Sequence, residues 1–162
     1  MQTSFTDKQL LDKDNKSSES ILRKCVHCGM CNATCPTFCV NGEELEGPRG
    51  RIYLIKDMLE NKKPANKKVV KHIDSCLSCY SCMTTCPSGV NYMHLIDHGR
   101  NYVEETYKRP FFDRLFRNVL SFVLPRPKVF LVLAYLTKLI KPFSFLLPTF
   151  LKNSLNLMPN KI

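Results

Sequence analysis

Cysteine is the residue type whose number and spacing point to chemistry in this sequence. Nine cysteines occur in 162 residues, and eight of them fall into two arrays with the same spacing. The first array is Cys25-x2-Cys28-x2-Cys31-x3-Cys35 and the second is Cys76-x2-Cys79-x2-Cys82-x3-Cys86, each followed by a proline. Thiolates in this pattern are ligands of iron–sulfur clusters. The sequence therefore predicts two clusters of the four-iron, four-sulfur (4Fe-4S) type.

The spacing also predicts which cysteine serves which cluster. Three thiolates at three-residue intervals can reach three irons of one cubane, whereas the fourth lies too far along the chain. We therefore expect Cys35 and Cys86 to cross to the cluster of the other array. The predicted ligand sets are Cys25, Cys28, Cys31 and Cys86 for the first cluster, and Cys76, Cys79, Cys82 and Cys35 for the second. Clusters that exchange ligands must be close neighbours, and this arrangement indicates electron transfer.

Zinc and disulfides are the competing explanations of the cysteines. Structural zinc uses four ligands, commonly two C-x2-C pairs, which leaves the third cysteine and the closing x3-C-P of each array unexplained. The first twenty residues are polar and show no secretory signal. We therefore expect a cytoplasmic, reducing compartment, where disulfides are rare. A zinc-bound structural or nucleic-acid module stays as the less favoured alternative.

The formal charge of +10 is unevenly distributed along the chain. Residues 1–100 carry 14 basic and 11 acidic side chains, whereas residues 101–162 carry 10 basic and 3 acidic ones. Oxidised clusters would add about −2 each to the cysteine-bearing part. The basic character therefore belongs to the C-terminal third, where large apolar residues and prolines are interleaved with the charges. We expect no nucleic-acid partner.

The elements that must position the arrays are predicted to be helices. Apolar residues recur at helical spacing over 51–60 and 91–107, with Asn91 as a cap, and Ser18 is expected to cap a short helix before the first array. Before residue 110 the sequence has no convincing alternating strand pattern, so the predicted fold class is mainly α. The predicted organisation is a polar leader (1–18), a helical two-cluster domain (19–107) and a basic, apolar, proline-interrupted helical tail (108–162).

Several residues near the arrays carry further predictions. Gly29 suits a left-handed backbone, and Cys39, outside both arrays, is expected to be a buried small apolar residue. The turn over residues 47–51 is expected to direct its arginines towards a cluster or a partner, with phosphate binding as the less favoured alternative. Six apolar side chains are expected to exclude water from the clusters, namely Val26, Met30, Val40, Leu77, Met83 and Val90.

These residues resemble the iron–sulfur subunit of glycolate oxidase, in its N-terminal two-cluster part. The similarity lies in Cys25-Val26-His27-Cys28-Gly29, in Gly47-Pro48-Arg49-Gly50-Arg51-Ile52-Tyr53, and in Cys86-Pro87-Ser88-Gly89-Val90. The segment between the arrays makes the match specific, because the array spacing alone indicates only the wider ferredoxin class. The resemblance implies an α-helical ferredoxin fold.

The resemblance also implies a function and partners. Electrons would pass from an FAD-bearing subunit that oxidises glycolate, through both clusters, towards a quinone or another acceptor, with no catalytic residue on this chain. The alternatives are iron–sulfur subunits of related enzymes that act on lactate, glycerol-3-phosphate, succinate or heterodisulfide. Family members continue into a C-terminal half with Cys-Cys-Gly repeats, which this chain lacks. We expect the tail to pack against a protein partner, which is either that C-terminal half on another polypeptide or a flavoprotein subunit. The alternative is that the tail makes peripheral contact with the cytoplasmic face of the inner membrane.

Overall fold

The computed structural model describes the backbone of residues 1–140 and the side chains of residues 1–136. The described chain is helical and contains no β-strand, which confirms the predicted mainly α fold class. The α-helices are α1 (Asp7–Leu10), α2 (Lys13–Lys24), α3 (Pro36–Asn41), α4 (Pro48–Asn61), α5 (Lys67–Asp74), α6 (Ser81–Thr84), α7 (Tyr92–Thr106), α8 (Phe111–Val123) and α9 (Pro127–Ile140). Short 3-10 helices occupy Met30–Asn32 and Glu44–Glu46.

The chain divides into two compact units. The first spans Met1–Lys108 and contains both cysteine arrays, and the second begins at Arg109. The predicted boundary between cluster domain and tail lies close to this division. Whether the units function as separate domains stays a prediction.

The apolar core of the first unit is built mainly by α4 and α7. Ile55 of α4 and Leu95 and Ile96 of α7 have no exposed surface. Gly99 lets the two helices approach closely, because a Cβ atom there would lie 2.8 Å from Cγ1 of Ile55. Leu22 of α2 joins the same cluster of buried side chains. This core fixes the helices between which the two arrays are held.

The N-terminal segment is part of this packing, and the predicted cap at Ser18 is wrong. Helix α2 begins earlier, because the Asp12 side chain caps it by accepting from the backbone N–H groups of Asp14 and Asn15. Ser18 therefore lies inside the helix, fully buried, with its Oγ 2.7 Å from Nδ1 of His98 on α7. The leader boundary predicted at residue 18 falls within α2.

Helix α4 begins three residues before its predicted start at residue 51. Pro48 occupies the first turn, where its missing N–H is not needed by the helix. Gly50 allows the 3-10 helix Glu44–Glu46 to pack against this turn, because a Cβ atom would clash with the Glu44 carbonyl. The predicted turn over residues 47–51 is thus largely the first turn of a helix. The cap predicted for α7 is confirmed, since the Asn91 side chain accepts from the N–H of His94.

The second unit contains α8 and α9. Apolar residues of α8 recur at helical spacing and are exposed, among them Phe112, Leu115, Phe116 and Val119. No single described helix is long and apolar enough to span a membrane, although α8 and Pro127–Leu136 meet the length and composition criteria as a pair bent by 112°. The tail positions Lys141, Pro142, Pro148 and Pro159 lie outside the described residues.

Candidate iron–sulfur site

Two neighbouring cavities collect the eight array cysteines. The first cysteine cavity is lined by Cys25, Cys28, Cys31, Cys82 and Cys86. The second cysteine cavity is lined by Cys35, Cys76, Cys79 and Cys82. Each cavity thus contains the three cysteines of one array together with the last cysteine of the other. The structure brings together both predicted ligand sets, while the assignment of each thiolate to a cluster stays a prediction.

The two cavities share a wall. Pro48 at the start of α4, Cys82 in α6 and Tyr92 at the start of α7 line both of them. The helices of the core therefore place the two cysteine groups side by side, separated by single side chains. Such proximity is what rapid electron exchange between two clusters requires.

The backbone of the two arrays repeats the same unusual conformation. The residue before the second cysteine has a positive φ in both arrays, with 59° at His27 and 52° at Ser78. The residue after the second cysteine does so too, with 85° at Gly29 and 56° at Tyr80. The left-handed conformation predicted at Gly29 is therefore confirmed. Its counterpart at Tyr80 is not visible in the sequence, because tyrosine has no preference for that conformation.

The donor set fits a multivalent iron–sulfur group. The described structure contains no disulfide, and all nine cysteines are free. Burial, together with the smaller effect of neighbouring cysteines, raises the pKa of Cys31 to about 11 and that of Cys82 to about 12. Four converging thiolates repel one another unless a cation lies between them. Nδ1 of His27, a residue that lines the first cavity, is buried and has no hydrogen-bond partner among the residues that the structure describes.

Arg51 is the buried cation of the second cavity. Its side chain is 1% exposed, and its Nη1 lies 3.9 Å from Sγ of Cys35. Its Nη2 donates to Oε2 of Glu46 at 3.0 Å and to the Thr37 hydroxyl, and its Nε donates to the carbonyl oxygen of His72 at 2.7 Å. The guanidinium is therefore held by several partners, with one nitrogen directed at the sulfur of a predicted ligand.

The Glu46 carboxylate holds Arg51 in this arrangement through Nη2 of the guanidinium. Its carboxylate also contacts Nδ1 of His72 at 2.7 Å and accepts from the Ser75 hydroxyl. Burial raises the pKa of Glu46, but the hydrogen bonds from Ser75 and His72 and the charge of Arg51 outweigh it, so the pKa lies below its ordinary value. The Glu46–Arg51 pair is therefore ionised although both side chains are buried.

Tyr92 is a second polar neighbour of the second cavity. Its hydroxyl donates to Sγ of Cys76 at 3.6 Å, and the residue is 4% exposed. Burial raises the pKa of this phenol, and the nearby Cys76 adds to the effect. The hydroxyl therefore stays protonated and available as a donor to sulfur.

The first cavity has an arginine at the corresponding place, but it faces solvent. Arg49 lines this cavity and lies over Gly29, where a Cβ atom would be 2.9 Å from its Nη1. Its side chain is 35% exposed, and its Nε donates to Oε1 of Glu44 at 2.5 Å. The turn arginines thus face the two cavities as predicted, with Arg49 partly exposed and Arg51 buried.

Some sequence expectations about the surroundings of the arrays are wrong. Val26, Met30, Val40 and Leu77 are between 54% and 83% exposed. Val26 lines the first cavity and Leu77 the second, but both side chains also remain open to solvent. Of the six residues expected to exclude water, only Val90 is buried, and Met83 is partly buried.

Cys39 is also misplaced by the sequence prediction. It is exposed, because α3 buries none of its residues, and its Sγ lies 3.4 Å from the Ala33 carbonyl oxygen. Glu46, Thr37, Ser75 and Tyr92 were not anticipated as neighbours of the cysteines. Thr37 and Ser75 stand next to the arrays in the sequence, whereas Glu46 and Tyr92 reach the site from elements farther along the chain.

The comparisons with known proteins agree with this geometry. Residues 21–90 match the family described as 4Fe-4S dicluster domain. The chain is 49% identical over 143 residues to the glycolate oxidase iron-sulfur subunit of Escherichia coli. The aligned region covers 88% of this chain and 35% of that protein. The chain is 32% identical to the probable glycolate oxidase iron-sulfur subunit of Bacillus subtilis, over 69% of this chain and 26% of that protein.

A more distant match belongs to another respiratory enzyme. The chain is 27% identical, over 48% of its length, to the mitochondrial succinate dehydrogenase iron-sulfur subunit of Candida glabrata and covers 33% of that protein. The chain thus spans about a third of the length of these relatives. No solved structure matches it. The predicted relationship to glycolate oxidase iron–sulfur subunits and the predicted 4Fe-4S cofactors are confirmed.

Proposed function

This chain is related to glycolate oxidase iron–sulfur subunits, and we propose that it is an electron-transfer subunit of a glycolate dehydrogenase. It carries a domain of the 4Fe-4S dicluster family. The observation that carries the proposal is the pair of adjacent cavities, each with cysteines from both arrays. A 4Fe-4S cluster in such a cavity takes up and releases one electron at a time.

The residues of this chain would hold and insulate the clusters. Cys25, Cys28, Cys31 and Cys86 are the proposed ligands of the first cluster, and Cys76, Cys79, Cys82 and Cys35 are those of the second. Tyr92 and Pro48 in the shared wall keep water from the space between the clusters. We assign no substrate chemistry to this chain, so removal of hydride from glycolate would fall to an FAD-bearing partner subunit.

The exposed apolar side chains near the cavities support a protein partner. Val26 and Met30 lie within or beside the first array and Leu77 lies within the second, all of them exposed. An electron donor or acceptor must approach a cluster closely, and apolar residues at the centre of an interface favour such docking. We propose that a flavoprotein of the glycolate oxidase type docks on this surface.

We also propose that the exposed apolar face of α8 is covered by a binding partner. Phe112, Leu115, Phe116 and Val119 are each at least 49% exposed. The relatives are about three times as long as the matched region, so a protein segment corresponding to their remaining length is the proposed cover. Anionic lipid on the cytoplasmic face of the inner membrane is the alternative. A cytoplasmic location is proposed because free thiolates and their clusters persist in reducing compartments.

Anaerobic affinity purification from native cells tests the proposed circuit. We expect a brown protein with about eight irons and eight acid-labile sulfides, recovered together with a flavoprotein, and we expect glycolate to bleach its visible absorption. Succinate is the comparison substrate, because the chain is also similar to a succinate dehydrogenase subunit. Bleaching by succinate and not by glycolate would favour that circuit, and a colourless zinc protein would exclude both.

The same purification distinguishes the two covers of α8. A Phe112→Ser, Phe116→Ser double variant should lose a co-purifying protein while the iron content stays constant. A variant with Arg114 and Arg117 replaced by Gln is the matched control, because it keeps the apolar face and removes charge. If the wild-type protein instead floats with vesicles of anionic phospholipid and brings no polypeptide with it, the lipid alternative replaces the proposal.

A further inference from the structure

The two cysteine cavities differ in the polar groups directed at their sulfur atoms. In the second cavity, Nη1 of Arg51 lies 3.9 Å from Sγ of Cys35, and the Tyr92 hydroxyl lies 3.6 Å from Sγ of Cys76. Both side chains are buried, at 1% and 4% exposure. Arg49, the corresponding arginine of the first cavity, is 35% exposed. The same residue type therefore occupies a buried site at one cavity and a solvent-accessible site at the other.

A buried donor to a ligand sulfur has a defined effect on a cluster. Reduction adds one negative charge to the cluster and its thiolates, so a donor or cation at the sulfur stabilises the reduced form more than the oxidised form. The effect is strong where water is excluded and weak where water screens the charge. Water is excluded around Arg51, so its effect on a cluster should be strong. Water screens the charge of Arg49, so its effect should be weak.

The surrounding hydrogen bonds leave Arg51 as the donor available to Cys35. The Thr37 hydroxyl, which is 3.2 Å from Sγ of Cys35, already donates to the Glu46 carbonyl at 2.7 Å. The Glu46 carboxylate balances the charge of Arg51 but contacts its Nη2, whereas Nη1 is the nitrogen near the sulfur. The pair is therefore a fixed dipole with its positive end towards the predicted ligand.

We propose that Arg51 raises the reduction potential of the second cluster, with support from Tyr92, while leaving the first cluster nearly unchanged. Arg51 would then be a positioning residue that acts through the sulfur of Cys35. This inference rests on the proposed function, because it requires both clusters to be present. It deepens that function by assigning different tasks to the two clusters, since an electron shared between them would favour the one stabilised by Arg51.

The test is anaerobic potentiometry followed by electron paramagnetic resonance on the full chain. The signal of the second cluster is identified as the one lost in Cys79→Ser, because Cys79 lines only the second cavity. In an Arg51→Gln, Glu46→Gln double variant, which leaves the net charge unchanged, we expect the reduced-to-oxidised ratio of the second cluster at a fixed potential to fall about tenfold. This corresponds to the lower end of about 1.5–3 kcal/mol for a hydrogen bond to a charged group.

Two further variants complete the design. Arg49→Gln is the matched control, for which we expect a change of less than about threefold in the ratio of either cluster, because a screened surface charge contributes little. Tyr92→Phe removes one hydroxyl, keeps the ring in the core, and should lower the ratio of the second cluster alone. If the double variant fails to hold iron, Arg51→Lys replaces it, and a smaller decrease in the same ratio is then expected.

The outcomes separate this inference from the proposed function. An unchanged ratio of the second cluster in the double variant, or an equal shift in both clusters, would overturn the role of Arg51. The role of Arg51 would also be overturned if Arg49→Gln changed the reduced-to-oxidised ratio of a cluster as much as the Arg51 variant does. Wild-type protein without two 4Fe-4S signals would instead remove the proposed function, whatever the variants show.

Discussion

Cys86 lies about fifty residues beyond the first array, yet it lines the first cysteine cavity together with Cys25, Cys28 and Cys31. The crossing of the last cysteine in each array could be predicted because the spacing fixes the reach of the thiolates. The arginines of the turn over residues 47–51 were expected to face a cluster or a partner, but the sequence could not show that Arg51 is buried against a sulfur while Arg49 is partly exposed. The contact of Tyr92 with a sulfur could not be predicted either, because tertiary packing brings its hydroxyl there.

Replacing one crossing cysteine tests the ligand exchange. In Cys86→Ala we expect loss of the signal of the first cluster while the second keeps its paramagnetic signal, because Cys86 lines only the first cavity. Cys35→Ala should have the reciprocal effect. Cys39→Ala is the control, since Cys39 is exposed and lines neither cavity. If Cys86→Ala affects only the cluster of its own array, the exchanged ligation is incorrect.

At the scale of elements, the periodicity of apolar residues located the two central helices, but their starting points depended on other contacts. Helix α7 begins where its Asn91 cap predicts, because a capping side chain is a local signal. Helix α4 begins at Pro48, before the apolar pattern starts, since its first turn packs against the 3-10 helix Glu44–Glu46. Ser18 resembled a cap but is instead a buried contact between α2 and α7.

The close packing of α4 on α7 predicts the effect of Gly99→Ala. Alanine is favoured over glycine in a helix by about 1 kcal/mol, but the new methyl group would lie 2.8 Å from Cγ1 of Ile55. Overpacking of this kind costs about 1–3 kcal/mol, so we expect a net loss of about 1 kcal/mol in the free energy of unfolding. Anaerobic urea denaturation measures it. Asp97→Ala on the exposed side of α7 is the control, and stabilisation by Gly99→Ala would contradict the packing argument.

The contact between α2 and α7 predicts a pH dependence. Burial lowers the pKa of His98, and the charge of His94 lowers it further, against the opposing carboxylates of Asp14, Asp12 and Glu105. The unfolded chain therefore takes up a proton on His98 first, near a pH of about 6.5. The contribution of neutral His98 to the free energy of unfolding is therefore complete above that pH. It is lost as the pH falls through the lower pKa that His98 has in the folded state.

The free energy of unfolding, measured between pH 8 and pH 5, should accordingly decrease more steeply in the wild-type protein than in His98→Gln. The glutamine variant keeps a polar group opposite the Ser18 hydroxyl and has no proton to gain in this range. Parallel curves for the two proteins would show that His98 does not contribute to the pH dependence.

At the scale of the molecule, the sequence could predict that the chain has a cysteine-bearing part and a basic, apolar C-terminal part, because composition changes along the chain. The structure divides at Lys108, near the predicted position. The burial of the N-terminal residues could not be predicted. Gln9 is 5% exposed because its side-chain amide donates to the Leu59 carbonyl at 2.8 Å, a contact between residues far apart in sequence.

The dependence of the first unit on iron gives a further prediction. The segments around the two arrays contain only short helices and turns, so the clusters would be their main cross-links. After anaerobic removal of iron with a chelator, we expect thermolysin to cleave within residues 25–35 and 76–90. The far-UV circular dichroism should change little, because α4 and α7 pack on an apolar core. Equal protection of both segments with and without iron would contradict this prediction.

Pro48, Cys82 and Tyr92 separate the two cavities with single side chains, and this thin partition has a consequence for damage and repair. Oxygen that destroys one cluster would open the partition and admit water to its neighbour. In air, half-loaded molecules would therefore lose their remaining cluster quickly, and native mass spectrometry of protein exposed to oxygen should show mainly chains with two clusters or with none. Without oxygen, a chain with one cluster persists, as the anaerobic cysteine variants require. A cell exposed to oxygen would then have little opportunity to replace one cluster alone.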